Sequence, residues 1–276
     1  MTNPELDAHA LRAKSGDRAA LEALVLGLQD RLFRLALRFL HDREHARDAT
    51  QEILVLVVTK LGSFRGDSAV ETWAYRIASR QLLRARSRLR KITFERLVED
   101  DLGQPPNAIE SATLASADAR LLEEEVFLGC TQAMLQALDR NERIAFVLGA
   151  LCELGSADAA RALGITEVAF RKRLSRARQI LDAFLFKNCG VADPKNACRC
   201  AFQVNYRVRS GTLDPKALRH VGQGPRTSLE TLRAHGEIDH ARRTLALYQA
   251  QPQAEAPEAL AEQIRAAIGA MRILDA

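Results

Sequence analysis

The sequence predicts an all-α protein with two small helical domains joined by a linker and a mostly helical C-terminal extension. Three observations carry this. Ala, Leu and Arg dominate and aromatics make up only 5% of the 276 residues, whereas β structure draws on branched and aromatic side chains. Apolar residues recur at steps of three and four, the period of one helix face. Capping residues and glycines bracket several of these runs. With 47% hydrophobic residues, a chain of this length can bury about two cores.

The first domain spans residues 15–91. Leu21, Leu24, Val25, Leu28, Leu32, Leu35 and Phe39 mark a helix over 19–39. A second helix starts from Asp42 as N-cap and runs through Ala46, Ala49, Ile53, Val57 and Leu61 to Gly62. After the loop "SFRGD", Ser68-x-x-Glu71 reads as a capping box opening a third helix that continues to about Lys91. Residues 92–127 change character: Glu99, Asp100 and Asp101 are acidic and "GQPPN" breaks any helix, so a linker with some helix near its end is expected.

The second domain spans residues 128–187. Helices are expected over 128–138, 142–152 and 156–163, the last stopped by Gly164, and a final one starts near Thr166. Its stripe is Phe170, Leu174, Ala177, Leu181 and Phe184. In the extension, residues 188–276, "FQVNYRV" alternates as a short strand would, with a helix as the other reading. Two amphipathic helices are expected at about 228–250 and 257–274.

Charge points to function. The formal charge is only +5, but it is clustered, as expected of a nucleic-acid surface. Residues 156–178 are built as a helix-turn-helix: Ala159 and Ala160 permit close approach, Gly164 permits the turn, and five of the eight residues Arg171–Arg178 are basic. Glu167, Val168, Arg171 and Lys172 would face base edges, and Arg173 and Arg176 would add to the cationic face. A solvated basic helix is the plainer alternative. Trp73, Arg76, Arg80 and Arg84 are three, four and four apart, hence on one face, with Arg86, Arg88, Arg90 and Lys91 extending the charge. Tryptophan among arginines suits single-stranded or distorted DNA, although Trp73 could equally be core. In "DATQE", Asp48 and Glu52 share a helix face that is either solvated or a docking surface for a basic partner.

The order of these segments carries a resemblance. "RDATQEILVLVVTKLGSFRGDSAVETWAYRIASRQLLRARSRLR" resembles the promoter-melting domain of bacterial RNA polymerase sigma factors of the extracytoplasmic-function (ECF) group. "LDRNERIAFVLGALCELGSADAARALGITEVAFRKRLSRARQIL" is similar to that group's helix-turn-helix domain. The resemblance implies a dissociable specificity subunit without catalytic residues. Asp48, Gln51 and Glu52 would dock core RNA polymerase, the helix of Trp73, Arg76, Arg80 and Arg84 would open the −10 element of promoter DNA, and the helix of Arg171, Lys172, Arg173 and Arg176 would read the −35 element. Three positions depart from the pattern: Arg80 stands where asparagine is common, Ala74 where a bulky residue is usual, and Asp158-Ala159-Ala160 replaces Glu-Ile-Ala. An anti-sigma protein is a further expected kind of partner, or the extension acts in its place in cis.

The extension holds Cys189, Cys198 and Cys200. Three thiolates could suit Cu(I), or zinc with a fourth ligand such as His220; the alternative is three reduced cysteines without a ligand. The tail resembles the cysteine-bearing extensions of ECF groups, some of which respond to metals. No cofactor is otherwise required. Cys130 and Cys152 read as core thiols. An odd cysteine count argues against a secreted disulfide scaffold, no run approaches the roughly 20 apolar residues that span a bilayer, and the acidic N-terminus does not read as a signal peptide. A cytoplasmic protein is expected. Two other functions stay open on residues alone: a free-standing helix-turn-helix regulator, and a metal-responsive sensor whose helical domains bind protein. Arg171→Ala and Lys172→Ala are each expected to weaken promoter recognition by about 1–3 kcal/mol; unchanged DNA footprints in both variants would remove the recognition-helix assignment.

Overall fold

The computed structural model describes residues 3–84, 92–99, 117–220, 240–249 and 254–270. The described secondary structure is helical, apart from one isolated bridge between Cys189 and Cys198. Two compact units can be distinguished. One comprises Met1–Arg88, Arg140–Leu174 and Ala254–Ala276; the other comprises Leu89–Asp139 and Ser175–Gln253. These units do not follow the sequential division at 15–91, 128–187 and 188–276, because packing partners come from distant parts of the chain.

The first unit opens with a helix that the sequence reading missed, α1 (Pro4–Lys14). Asn3 caps it by accepting from the Glu5 N–H at 3.0 Å, and its buried stripe is Leu6, Ala10 and Ala13. Two of those three are alanines, so no conspicuous apolar run marks it. Helix α2 (Arg18–Leu40) is capped by Asp17, which accepts from the Ala20 N–H at 3.0 Å. It ends at His41, whose φ of 59° is left-handed. Helix α3 (Arg43–Lys60) starts where expected, the Asp42 carboxylate accepting from the His45 N–H at 2.7 Å.

Helix α4 (Val70–Arg84) forms as expected, but not through a Ser68 capping box. The Ser68 hydroxyl donates to the Ala69 carbonyl. The Val70 N–H donates to Asp7 of α1 at 2.6 Å. Glu71 is 6% exposed and pairs with Arg31 at 2.9 Å while accepting from the Asn3 N–H. A tertiary cap has displaced the local one, and Arg31 has drawn Glu71 away from it. Arg86, Arg88, Arg90 and Lys91 lie outside the described residues.

Residues 140–174 complete this unit. Helix α7 (Arg140–Phe146) runs into a π-helical turn at Val147–Leu151, where the Cys152 N–H donates to the Val147 carbonyl at 2.8 Å. Gly149 belongs to this turn, and a Cβ there would come within 2.9 Å of Phe170 and Leu174. Arginines tie the segment down through carbonyls that helix ends leave unpaired. Arg143 donates to Phe39, Arg140 to Leu82, and Arg38 to Leu151. The buried Arg38 has its pKa lowered, chiefly by desolvation. Burial likewise holds the Cys152 thiol up, so it stays protonated.

The second unit contains α5 (Phe94–Leu97), α6 (Ala117–Ala137), and α10 (Cys200–Arg209). Between them in sequence come α8 (Ser156–Leu163) in the first unit and α9 (Glu167–Asn188), which contributes to both. Phe94 meets Phe184 at 4.9 Å between ring centroids. Helix α6 begins 11 residues before the helix expected at 128–138, at Ala117, so part of the expected linker is helical. The strand expected at "FQVNYRV" is instead α10. Cys200, Gln203 and Val204, at helical spacing, are its buried residues, and Phe202 and Val208 of the alternating set are exposed. Helix α10 packs on α6, and no neighbouring strand among the described residues offers a ladder. Helix α11 (His240–Gln249) is the described part of the helix expected at 228–250, and α12 (Glu258–Ala270) lies within that expected at 257–274.

Asp7→Ala is expected to cost about 1 kcal/mol, the usual worth of an N-cap, and to lower the thermal midpoint, while Ser68→Ala leaves it unchanged. The reverse order of the two variants in thermal melts would restore the local capping box.

Candidate nucleic-acid interface

Helix α4 places its aromatic and its arginines as the spacing predicted. Ala74, Ala78 and Leu82 are buried, whereas Arg76, Arg80 and Arg84 are exposed. Trp73 does two things at once. It is half-buried and packs on the core, and it meets Phe64 at 5.5 Å with the rings tilted by 54°. Its remaining face lines a cleft of about 490 Å³, together with Arg65, Arg76, Arg80, Arg84 and Arg161. Asp67 is the one acid in the lining. Aromatic faces that stack on bases and guanidinium groups that pair with phosphates are the side chains used by proteins that bind single-stranded nucleic acid. Arg161 and Arg65 were not among the sequence-predicted site residues. The first comes from α8 and the second from the "SFRGD" loop, so no helical spacing could have connected them to Trp73.

The helix-turn-helix forms as expected. Gly164, with φ +68°, closes α8 in the left-handed region that a side chain would disfavour. Thr166 caps α9 by accepting from the Ala169 N–H at 3.2 Å. Phe170, Ala177 and Leu181 are buried, while Glu167, Val168, Arg171, Lys172 and Arg176 are exposed and Arg173 is half-buried. Glu167 and Arg171 approach to 3.8 Å one turn apart, a solvent-exposed pair that contributes little to stability. Val168 is 54% exposed, an apolar contact beside cations, as a thymine methyl would require.

Helix α8 packs against α4. Arg161 donates to the Asp67 carbonyl at 3.0 Å, and the Arg80 guanidinium lies 4.0 Å from where a Cβ on Gly164 would be. Ala74 and Ala78 of α4 and Ala159, Ala160 and Ala162 of α8 are buried in one apolar cluster. Small side chains let two helices approach closely.

On α3, Asp48 and Glu52 are exposed on a common face and Gln51 is half-buried beside them. Asp48 pairs with Arg47 at 2.9 Å, and Glu52 accepts from Gln81 of α4 at 2.8 Å. Both are surface contacts of the kind a partner can replace. Helix α12 packs on α2 and α3 but leaves Asp48 and Glu52 exposed.

The cysteines of the extension come together. Cys189, Cys198 and Cys200 line one small cavity, joined by Cys130 of α6, whose sequence context reads as a core thiol. Among the described residues no group of three or more His, Cys, Asp and Glu side chains is placed to hold a metal ion, the expected set with His220 included. The backbone N–H of His220 donates to Glu125 at 2.8 Å, as does that of Arg219 at 2.7 Å. Burial lowers the pKa of the imidazole.

Comparison with known proteins matches both halves of this arrangement. The family model "Sigma-70 region 2" matches residues 24–92, and "Sigma-70, region 4" matches residues 128–181. The chain is similar to the RNA polymerase sigma-H factor of Pseudomonas aeruginosa, with 31% identity over 177 residues, covering 63% of this chain and 90% of that protein. It is similar to the ECF RNA polymerase sigma factor SigM of Mycobacterium tuberculosis, with 32% identity over 187 residues, covering 67% of this chain and 88% of that protein. The ECF RNA polymerase sigma-E factor of Escherichia coli shares 27% over 174 residues, covering 62% and 89%. Among solved structures, CnrH in complex with the cytosolic domain of CnrY aligns with a TM-score of 0.47 at 24% identity, covering 65% of this chain and 96% of that one.

Trp73→Ala is expected to weaken binding of single-stranded DNA by about 1–3 kcal/mol, the worth of one base stack. Undiminished affinity in a folded variant would leave Trp73 a core residue only.

Proposed function

The chain belongs to the extracytoplasmic-function group of RNA polymerase sigma factors, and from that premise we propose how its surfaces divide the work. As a sigma factor it binds core RNA polymerase and directs initiation of transcription at promoters. The cleft of α4, with Trp73 in its wall and Arg76, Arg80 and Arg84 at its rim, takes the −10 element as its strands part. The exposed face of α9, with Glu167, Arg171, Lys172, Arg173 and Arg176, reads the −35 element in the major groove. Asp48, Gln51 and Glu52 meet the polymerase. In this role it acts by binding, in the cytoplasm where its polymerase works. Among the described residues no helix is long and apolar enough to cross a membrane.

The observation that carries this reading is the juxtaposition of an aromatic–arginine cleft and an exposed cationic recognition helix on one chain. Their distance apart adds a condition. Elements at −10 and −35 are centred about 25 base pairs apart, roughly 85 Å along B-form DNA at about 3.4 Å per step. Here α8 packs on α4, and Arg80 lies close beside Gly164, three residues from the start of α9. Both surfaces cannot sit on their elements in this arrangement. The α4–α8 contact therefore parts when the promoter is bound, and the closed form is one that does not read DNA at both sites. Between α4 and α8 the contact includes small buried alanines and the exposed hydrogen bond from Arg161 to the Asp67 carbonyl, and parting the two surfaces also strains or releases the bonds from Arg140 to Leu82, Arg143 to Phe39 and Arg38 to Leu151.

The test is transcription in vitro with sigma-free core polymerase and fragmented genomic DNA, followed by mapping of RNA 5′ ends. Starts clustered behind a shared pair of upstream elements are expected. Binding to duplex DNA without any protein-dependent start would make the chain a free-standing regulator. Asp48→Arg is expected to reduce co-purification with core polymerase while thermal melting stays unchanged; normal co-purification would move the docking surface elsewhere.

A further inference from the structure

Nothing in promoter recognition uses the cysteines of the extension, yet the fold assembles them with care. Four of the five cysteines in the chain, Cys130, Cys189, Cys198 and Cys200, line one cavity of about 20 Å³, with Met134 and Arg207 beside them. Room for about one water-sized atom excludes an organic ligand. Whatever happens there happens among the thiols.

The loop from Cys189 to Cys200 is fastened at several points. Asn196 donates from Nδ2 to the Phe186 carbonyl at 2.9 Å and to the Cys189 carbonyl at 3.2 Å. The Arg199 guanidinium donates to the carbonyls of Pro194 and Cys198, both at 2.9 Å, and to that of Asn196. The Asp193 N–H returns to the Cys189 carbonyl at 2.9 Å. At Gly190 a Cβ would collide with the Arg199 guanidinium and the Cys198 carbonyl, so only glycine lets the two limbs of the loop approach this closely. The result is that Cys189 and Cys198 stand opposite each other in an isolated parallel bridge. Residues facing across a bridge are separated by about 4.7–4.9 Å, inside the roughly 4.4–6.8 Å between Cα atoms that a disulfide spans. All five cysteines are thiols here, and among the described residues Arg207 is the one cation that lines their cavity.

We propose that Cys189 and Cys198 form a reversible thiol–disulfide pair oxidised by hydroperoxides. The thiolate of one cysteine attacks a peroxide oxygen, the O–O bond breaks, and a sulfenic acid forms as hydroxide leaves and takes up a proton as water. The second thiol then attacks that sulfur, the S–S bond forms, and a second water departs. In sum the two thiols lose two protons and two electrons, and hydrogen peroxide is reduced to two waters. Cys189 follows directly on the last residue of α9, so the closed staple is fixed to the far end of the DNA-reading helix.

Trypsin resolves the pairing, because Lys187, Lys195, Arg199 and Arg207 separate the three tail cysteines. The reduced full-length chain is treated with dilute hydrogen peroxide, its remaining thiols are alkylated, and the digest is weighed. The expected product joins peptide Asn188–Lys195 to peptide Asn196–Arg199, two hydrogen masses lighter than their sum, with Cys130, Cys152 and Cys200 alkylated. Dithiothreitol should reverse it, Cys198→Ser should abolish it, and Asn196→Ala should reduce its yield severalfold. Cross-links that run through Cys130 or Cys200 instead, full alkylation of all five thiols after peroxide, or a co-purifying metal that shields these thiols from both reagents would each overturn the proposal.

Discussion

Helix α2 is apolar on nearly every side, and much of the first unit follows from the need to cover it. Its buried residues run around the helix, from Leu21, Leu24 and Val25 through Leu28, Leu32 and Phe33 to Leu35, Ala36 and Phe39. A helix hydrophobic all round has to sit inside a protein. Helices α1, α3 and α4 cover part of it, the π-helical turn after α7 covers another part, and α12 completes the enclosure. Ala254, Leu260 and Ile264, from the far end of the chain, join the same apolar cluster. Polar contacts then fix this final helix: the Ala256 N–H donates to Asp30 at 3.0 Å, and Arg265 pairs with Glu22 at 2.6 Å.

That enclosure bears on function. The same cluster that buries α2 also holds Ala159, Ala160, Ala162 and Phe170 of the helix-turn-helix. Helix α4 and the helix-turn-helix therefore share a core. Two departures from the family pattern, Ala74 and the Ala159-Ala160 pair, fall on the two helices that pack together, α4 and α8. Small side chains there shorten the distance between helices and bury little apolar area. At about 25 cal/mol per Å², contacts between alanines are more readily exchanged for water or DNA than contacts between leucines.

Local pattern was legible where local physics decides. The caps at Asp42 and Gly164 and the split of α9 into a buried Phe170–Ala177–Leu181 stripe and an exposed cationic face all follow from residues within a few positions of one another. The failures share a cause. Ser68 and Glu71 carry the pattern of a capping box, yet Asp7 and Arg31, more than thirty residues away in sequence, offered stronger partners. "FQVNYRV" alternates like a strand, but the surface it meets on α6 takes a helical face. Helix α1 has a stripe too rich in alanine to register as periodic.

The sequence by itself determined the helical class, the order of the two sigma-type segments, the sides of α4 and α9 that meet solvent, and hence the family. These depend on spacing along the chain, which a side chain's chemistry fixes wherever its helix lies. Tertiary structure alone decided which distant segments enclose α2, that Arg65 and Arg161 join Trp73 in one cleft, and that Cys130 meets the cysteines of the extension. Such meetings depend on which apolar surfaces remain uncovered once the helices have formed, and that is a property of the whole chain.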